Sequence, residues 1–199
     1  MKTLLSIDLS TSSTGFSIFD MQTKELKDYS FIKPPTKGLS KLVYPIKQLN
    51  KMVNYAQVLQ EYIDSVNPDV IVIEEIAGSK QRMGQKTLDG MHWILLMHIE
   101  PHLEKVNYYD VSGKNGWRTH LRLKLSDADK AHNKEFRKLN KNLAKGTKKV
   151  PIIGPKHLAA RYVNQAYNLN LDVDENPNDN DMADSIAMGT AFLNYKVYK

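Results

Sequence analysis

The stretch Ser6-Ile7-Asp8-Leu9-Ser10-Thr11-Ser12-Ser13-Thr14-Gly15-Phe16-Ser17-Ile18 decides how the rest of the chain is read. Thr3 to Ile7 is a short apolar run that stops at a carboxylate, Asp8. Ser10 to Ser13 is a turn of small hydroxyl residues. Thr14 to Phe19 is a second strand, with Gly15 permitting a close approach at its start. Tyr29 to Ile32 adds a third strand, so the N-terminus reads as a meander, and Pro34-Pro35 ends it.

Beyond the prolines the period changes. Leu42, Ile46, Leu49, Val53, Ala56, Leu59, Ile63 and Val66 recur every three or four residues, which predicts a long amphipathic helix with Pro45 in its first turn, closed by Asn67-Pro68. Val70-Ile71-Val72-Ile73 is a continuous β-branched run of the kind buried on both faces of a sheet, and it ends in Glu74-Glu75. Thr87 to Leu103 predicts a second helix with Met91, Ile94, Leu95 and Ile99 on its core face, and Val106 to Val111 a fifth strand. Asp127 to Val150 is polar, basic and without clear period, and is expected to be a mobile insertion or a poorly packed helix. Pro155 to Leu169 and Asp181 to Tyr195 are the last two helices. The expected fold class is α/β: one domain over residues 1–199, a mixed five-stranded sheet flanked by helices, with a basic insertion at about 124–150.

Composition narrows the function. The absence of cysteine excludes disulfide scaffolds, thiolate zinc sites, iron–sulfur clusters and a cysteine nucleophile. No apolar run approaches a membrane span, and Asp8 stands where a signal peptide needs apolar residues; a soluble, cytoplasmic protein is expected, with no membrane partner. The net charge of +6 is unevenly spread. Lys114 to Lys156 holds thirteen basic and three acidic residues, net +10, and leaves the remainder at −4. A near-neutral body thus carries one basic segment, which is either a solvated lysine-rich loop or a surface for a polyanion.

Four carboxylates stand where chemistry would need them. Asp8 follows the first strand, Glu74 follows the buried fourth strand, and Asp181 and Asp184 lie one helical turn apart at the start of the last helix. Each alone has a plain alternative: an acid at a strand end is often the first exposed residue, and a helix N-terminus accommodates Asp181. Together, oxygen ligands without cysteine or clustered histidine favour Mg²⁺ or Mn²⁺ over zinc. His98 and His102 are spaced i, i+4 but lack a third ligand. Carboxylates converging on two hard cations about 4 Å apart are the apparatus of in-line phosphodiester cleavage.

The residues Ser6 to Ile18 resemble the first strand and hairpin of RuvC-like Holliday-junction resolvases, in the ribonuclease H-like superfamily. Val72-Ile73-Glu74-Glu75 is similar to that family's second motif, and Asp181-Met182-Ala183-Asp184-Ser185-Ile186-Ala187-Met188-Gly189 to its last, with Ser185 replacing the common Ala. The order agrees across nearly the whole chain. Trp117-Arg118 after the fifth strand resembles the phage-borne branch. The resemblance implies that Asp8, Glu74, Asp181 and Asp184 are catalytic and ligate two Mg²⁺ ions, for which Mn²⁺ substitutes. Glu75 rivals Glu74, but side chains alternate along a strand and only one can face Asp8; Glu74 fits the family pattern. Lys156 stands where the family has a basic residue near the scissile phosphate.

The implied protein is a homodimer that makes paired nicks across four-way DNA junctions and leaves 5′-phosphates. Its DNA contacts are expected from Lys114, Arg118, Lys141, Lys145, Lys148 and Lys149. Lys80, Arg82 and Lys86, flanking Met83-Gly84-Gln85, could touch backbone phosphate or lie in a solvated loop. Two alternatives remain open. One is a non-catalytic branched-DNA-binding domain, which would not require four placed acids. The other is a fragment of an actin-like or sugar-kinase ATPase, whose phosphate-binding hairpin Asp8 to Gly15 also resembles, although such proteins need a second copy of the fold that this chain lacks.

Overall fold

The computed structural model describes residues 2–75, 82–144, 147 and 149–195, with backbone only at 82 and 83. Three antiparallel strands, β1 (Thr3–Asp8), β2 (Thr14–Asp20) and β3 (Leu26–Ile32), open the chain. They are followed by α1 (Ile46–Val66), β4 (Val70–Glu74), α2 (Arg82–His98), a 3₁₀ segment (Glu100–Lys105) and β5 (Val106–Tyr109). Four helices complete it: α3 (Trp117–His120), α4 (Asp127–Asn142), α5 (Pro155–Tyr167) and α6 (Asn178–Tyr195).

The sheet order is β3-β2-β1-β4-β5. β4 pairs parallel to β1 and β5 parallel to β4, so the meander and the crossover strands meet at a central β1. This is the mixed five-stranded α/β sheet expected from the sequence. Alternation along the strands divides the core in two. Leu5, Ile7, Phe16, Ile71 and Ile73 pack on α1 and α2. Leu4, Phe19, Val72 and Tyr109 pack on the other side with Trp117, α5 and α6. Helix α6 is buried from Met182 to Leu193. It presses so closely on the sheet that a Cβ at Gly189 would come within 2.4 Å of the Phe19 ring.

Several boundaries differ from expectation. Helix α1 begins at Ile46, so Leu42 falls outside it, and only Tyr55, Ala56, Leu59 and Ile63 are buried. Helix α2 stops at His98 because Pro101 cannot continue an α-helix, and a 3₁₀ turn takes over.

The main correction concerns the basic insertion, of which Asp127–Asn142 is a formed and anchored helix. Ser126 caps α4 by accepting from the Asp129 backbone N–H at 3.1 Å, and the Asp129 carboxylate accepts the Ser126 N–H at 2.9 Å. The same carboxylate takes both arms of Arg161 on α5 at 3.0 and 3.1 Å. Arg161 and the Ser126 hydrogen bonds hold Asp129 well below the usual carboxylate range. Asn133 exchanges two amide hydrogen bonds with the Ile153 backbone, and Asn140 does the same with Val150. The chain returning from α4 is thereby clamped along the helix at two points.

Candidate active site

Strand parity builds the site. On β1, Leu4, Ser6 and Asp8 face α6; on β4, Val70, Val72 and Glu74 do the same. The parallel register sets Ile7 beside Ile73, which brings Asp8 and Glu74 to adjacent strand ends. Glu75 points to the opposite side, into a cavity of about 400 Å³ that it lines with His92, Trp93 and Tyr108.

Helix α6 supplies the other two acids. Gly15, paired with Asp8 on β2, lies under its first turn: a Cβ there would meet the Asp181 carbonyl oxygen at 2.0 Å. The close approach expected of Gly15 is therefore what brings α6 onto the strand ends. Ser6 Oγ donates to the Ser185 carbonyl at 2.7 Å, and Ser185 Oγ donates back to the Met182 carbonyl. The hydroxyl that departs from the family's Ala is thus buried and bonded.

The four carboxylates share one electrostatic environment. Asp8 is pushed well above its ordinary pKa, first by burial and then by the charges of Glu74, Asp184 and Asp181, with Arg118 opposing. Burial raises Glu74, against the Trp117 hydrogen bond and the Arg118 charge. Asp184 is raised to about 7, chiefly by burial, with Arg118 pulling down and Glu74 and Asp181 pushing up. Burial raises Asp181 too, and the Asn180 side chain opposes it.

Two positions differ from expectation. Arg118, expected on DNA phosphates, forms a 2.8 Å ion pair with Asp184 and is largely covered. Its neighbour Trp117 is fully buried and donates its indole N–H to Glu74 at 3.1 Å. No signal in the sequence distinguishes these roles, because they depend on α3 packing beside α6. Lys156 does not join the cluster: its ammonium donates to Asp174 at 3.2 Å and to the Val173 carbonyl at 3.1 Å. The linker between α5 and α6 folds back beside the start of α5, and its Asp174 takes up that charge.

The other basic residues are dispersed. Lys114 is exposed on the loop after β5. Lys86 lines a groove with Tyr44, Leu49 and Met52, between the starts of α1 and α2. Lys141 and Lys149 line a groove at the end of α4 with Arg137 and Asn140. Lys80, Lys145, Lys148 and the Arg82 side chain lie outside the described residues. His98 and His102 bond to the Ile94 carbonyl and to Asp64, respectively, and share no ligand.

The donor set suits a hard divalent cation: four carboxylates and no sulfur. Asp184 Oδ1 is buried with no hydrogen-bond partner, an acceptor still to be satisfied. Among the described residues, however, no three acidic or histidine side chains form a ready-made cage for an ion. Two of the four acids are instead engaged by Trp117 and Arg118.

The architecture recurs in solved structures. RuvC of Thermus thermophilus aligns over 95% of this chain and 92% of its own, with a TM-score of 0.52 and 14% identity. T. thermophilus RuvC in complex with Holliday junction substrate aligns with a TM-score of 0.50, 13% identity and coverage of 96% and 92%. The yeast mitochondrial Holliday junction resolvase aligns with a TM-score of 0.51, 15% identity and coverage of 96% and 77%. The chain therefore has the fold of the RuvC-type, ribonuclease H-like resolvases. No protein-family model matches it, and no curated protein matches its sequence.

Proposed function

We propose that this chain is a divalent-metal-dependent endonuclease that cuts branched DNA, resolving four-way junctions by paired nicks as a homodimer in the cytoplasm. The observation that carries this reading is the convergence of Asp8, Glu74, Asp181 and Asp184, whose electrostatic coupling is built from three separate elements of the fold. A binding module would gain nothing from gathering four acids against one another.

Asp8, Glu74, Asp181 and Asp184 would hold two Mg²⁺ ions, or Mn²⁺ in their place. When bound, the ions supply Lewis acidity for the attacking water and for the leaving 3′ oxygen. The protein's own share is positional. Asp8 and Glu74 sit on rigid strand ends, and α6 is pinned over them by Gly15 and by the Ser6–Ser185 hydrogen bond. Lys114 and the exposed lysines of α4 supply phosphate contacts. The dimer is supported by apolar side chains left exposed on the outer sides of α1 and α2, among them Leu49, Trp93 and Met97.

The test is incubation of a labelled four-way junction with the protein and Mg²⁺. Nicking near the branch point is expected. Asp8→Asn and Glu74→Gln should abolish it while sparing junction binding, and Glu75→Gln should cut at nearly the normal rate because it faces the other side of the sheet. Binding without nicking by the unmodified protein would refute the nuclease, and loss of cutting in Glu75→Gln alone would refute this assignment of β4.

A further inference from the structure

Two adjacent residues grip two of the four acids. Trp117 Nε1 donates to Glu74 Oε1 at 3.1 Å, and Arg118 Nη2 donates to Asp184 Oδ2 at 2.8 Å. Arg118 Nη1 also donates to the Pro155 carbonyl at 3.0 Å, and its guanidinium stacks 4.3 Å from the centre of the Trp117 ring. The dipeptide opens the short helix α3, whose start is fixed by the Trp117 N–H donating to the Asp110 carbonyl at 2.8 Å. Its targets come from different elements, β4 and α6.

We propose that Arg118 is a resident counter-cation of the carboxylate cluster, which holds Asp184 in the metal-free protein and competes with a divalent cation for it, while Trp117 is a positioning residue for Glu74. This rests on the metal-site reading above. Acids gathered in a low-dielectric site repel one another unless a positive charge is near. Among the described residues, Arg118 is the basic residue that acts on Asp8, Glu74 and Asp184 alike. It serves Asp184 only in part, since Oδ2 is paired and Oδ1 is buried without a partner. The carboxylate is therefore half-satisfied, and a doubly charged ion can outbid the guanidinium for it. The Pro155 hydrogen bond and the Trp117 ring keep the released guanidinium at the edge of the site. If Arg118 were only a brace between α3 and α6, its removal would misplace Asp184 and weaken metal binding. A competitor has the opposite signature.

The experiment measures Mg²⁺ binding to the full chain by titration calorimetry, together with the Mg²⁺-induced rise in Tm, for the unmodified protein, Arg118→Met, Arg118→Lys, Trp117→Phe and Asp8→Asn. Arg118→Met keeps the aliphatic stem on Trp117 and removes the charge. It should lower Tm without Mg²⁺, yet tighten Mg²⁺ binding on the order of tenfold, the weight of one charge-assisted hydrogen bond. Arg118→Lys, which keeps a charge but loses the fork to Pro155, should tighten binding by a smaller factor; it carries the test if the Met variant does not fold. Trp117→Phe keeps the packing, loses the donor to Glu74, and should weaken Mg²⁺ binding severalfold. Equal or weaker binding in the Arg118 variants overturns the competitor, and unchanged binding in Trp117→Phe overturns its positioning role. Should the unmodified protein take up no more Mg²⁺ than Asp8→Asn, the metal-site reading itself fails, and this inference with it.

Discussion

Asp184 has its pKa raised to about 7 and has one oxygen without a partner, so its protonation bears directly on stability. Between about pH 4 and 7 the folded protein keeps a proton on this group that the unfolded chain has released. Folding therefore weakens as pH rises through that window, the reverse of an ordinary ion-paired carboxylate. Asp8, Glu74 and Asp181 are raised as well and act in the same direction. For Asp184 alone the effect is on the order of 4 kcal/mol at most, or roughly ten degrees of Tm in a domain of this size. Thermal melts without divalent ions should show Tm falling from about pH 5 to 8, and Mg²⁺ should restore more of it at the upper end, where the ligands are already deprotonated. A flat profile, or a Mg²⁺ effect larger at low pH, would contradict the electrostatics of the cluster. At this scale the sequence was legible where chain geometry is local. The period of two decides between Glu74 and Glu75, and Gly15 announces a close approach. The destinations of Arg118 and Lys156 were not legible, because they depend on which helix ends meet in space.

Helix α4 teaches the opposite lesson from the strands. Strands β1 and β4 declare themselves through apolar runs, whereas the inner face of α4 is built from Asp129, His132, Asn133, Phe136 and Asn140. Hydrophobic period cannot reveal a helix whose anchors are hydrogen bonds. The available signal was Ser126 followed three residues later by an acid, a capping-box spacing. Its outer face carries Lys130, Lys134, Arg137, Lys138 and Lys141, all exposed, so the anchoring converts a charge run into a fixed basic surface. Each phosphate contact by such a surface releases counterions, with a slope of about 0.9 in log K against log salt. Replacing Lys134, Lys138, Lys141 and Lys149 by Gln should flatten the slope for junction binding by roughly three units if all four make contacts. Cleavage at saturating DNA should persist, since none of the four lies among the acids. An unchanged slope would mean that DNA runs elsewhere, with Lys86 and Lys114 the next residues to test.

At the scale of the molecule, the two sides of the sheet are finished differently. The α6 side is covered by α5 and α3, while the α1 and α2 side ends at its own helices. The predicted apolar stripe of α1 is correct in period, but Ile46 and Leu49 are about half exposed and Val53 is 36% exposed. On α2, Trp93 and Met97 stand one turn apart and are 69% and 77% exposed. The helices pack closely, with Met52 in contact range of Gly90, so these residues belong to adjoining helices. Among the described residues no other element covers them. A homodimer formed through this side would bury them and leave the four acids on the opposite face of each sheet free for DNA. A two-fold dimer also matches the two-fold symmetry of a four-way junction. Trp93→Glu with Met97→Glu places two charges at the centre of such an interface, where an unpaired buried charge is strongly destabilising. Sedimentation should then report a dimer for the unmodified protein and a monomer for the variant. On a supercoiled plasmid extruding a cruciform, paired incision by a dimer would linearise the circle, whereas the monomeric variant should give mainly nicked circles, its carboxylates being untouched. A variant that stays dimeric, or an unmodified monomer that still linearises the plasmid, would remove this side of the sheet from the mechanism.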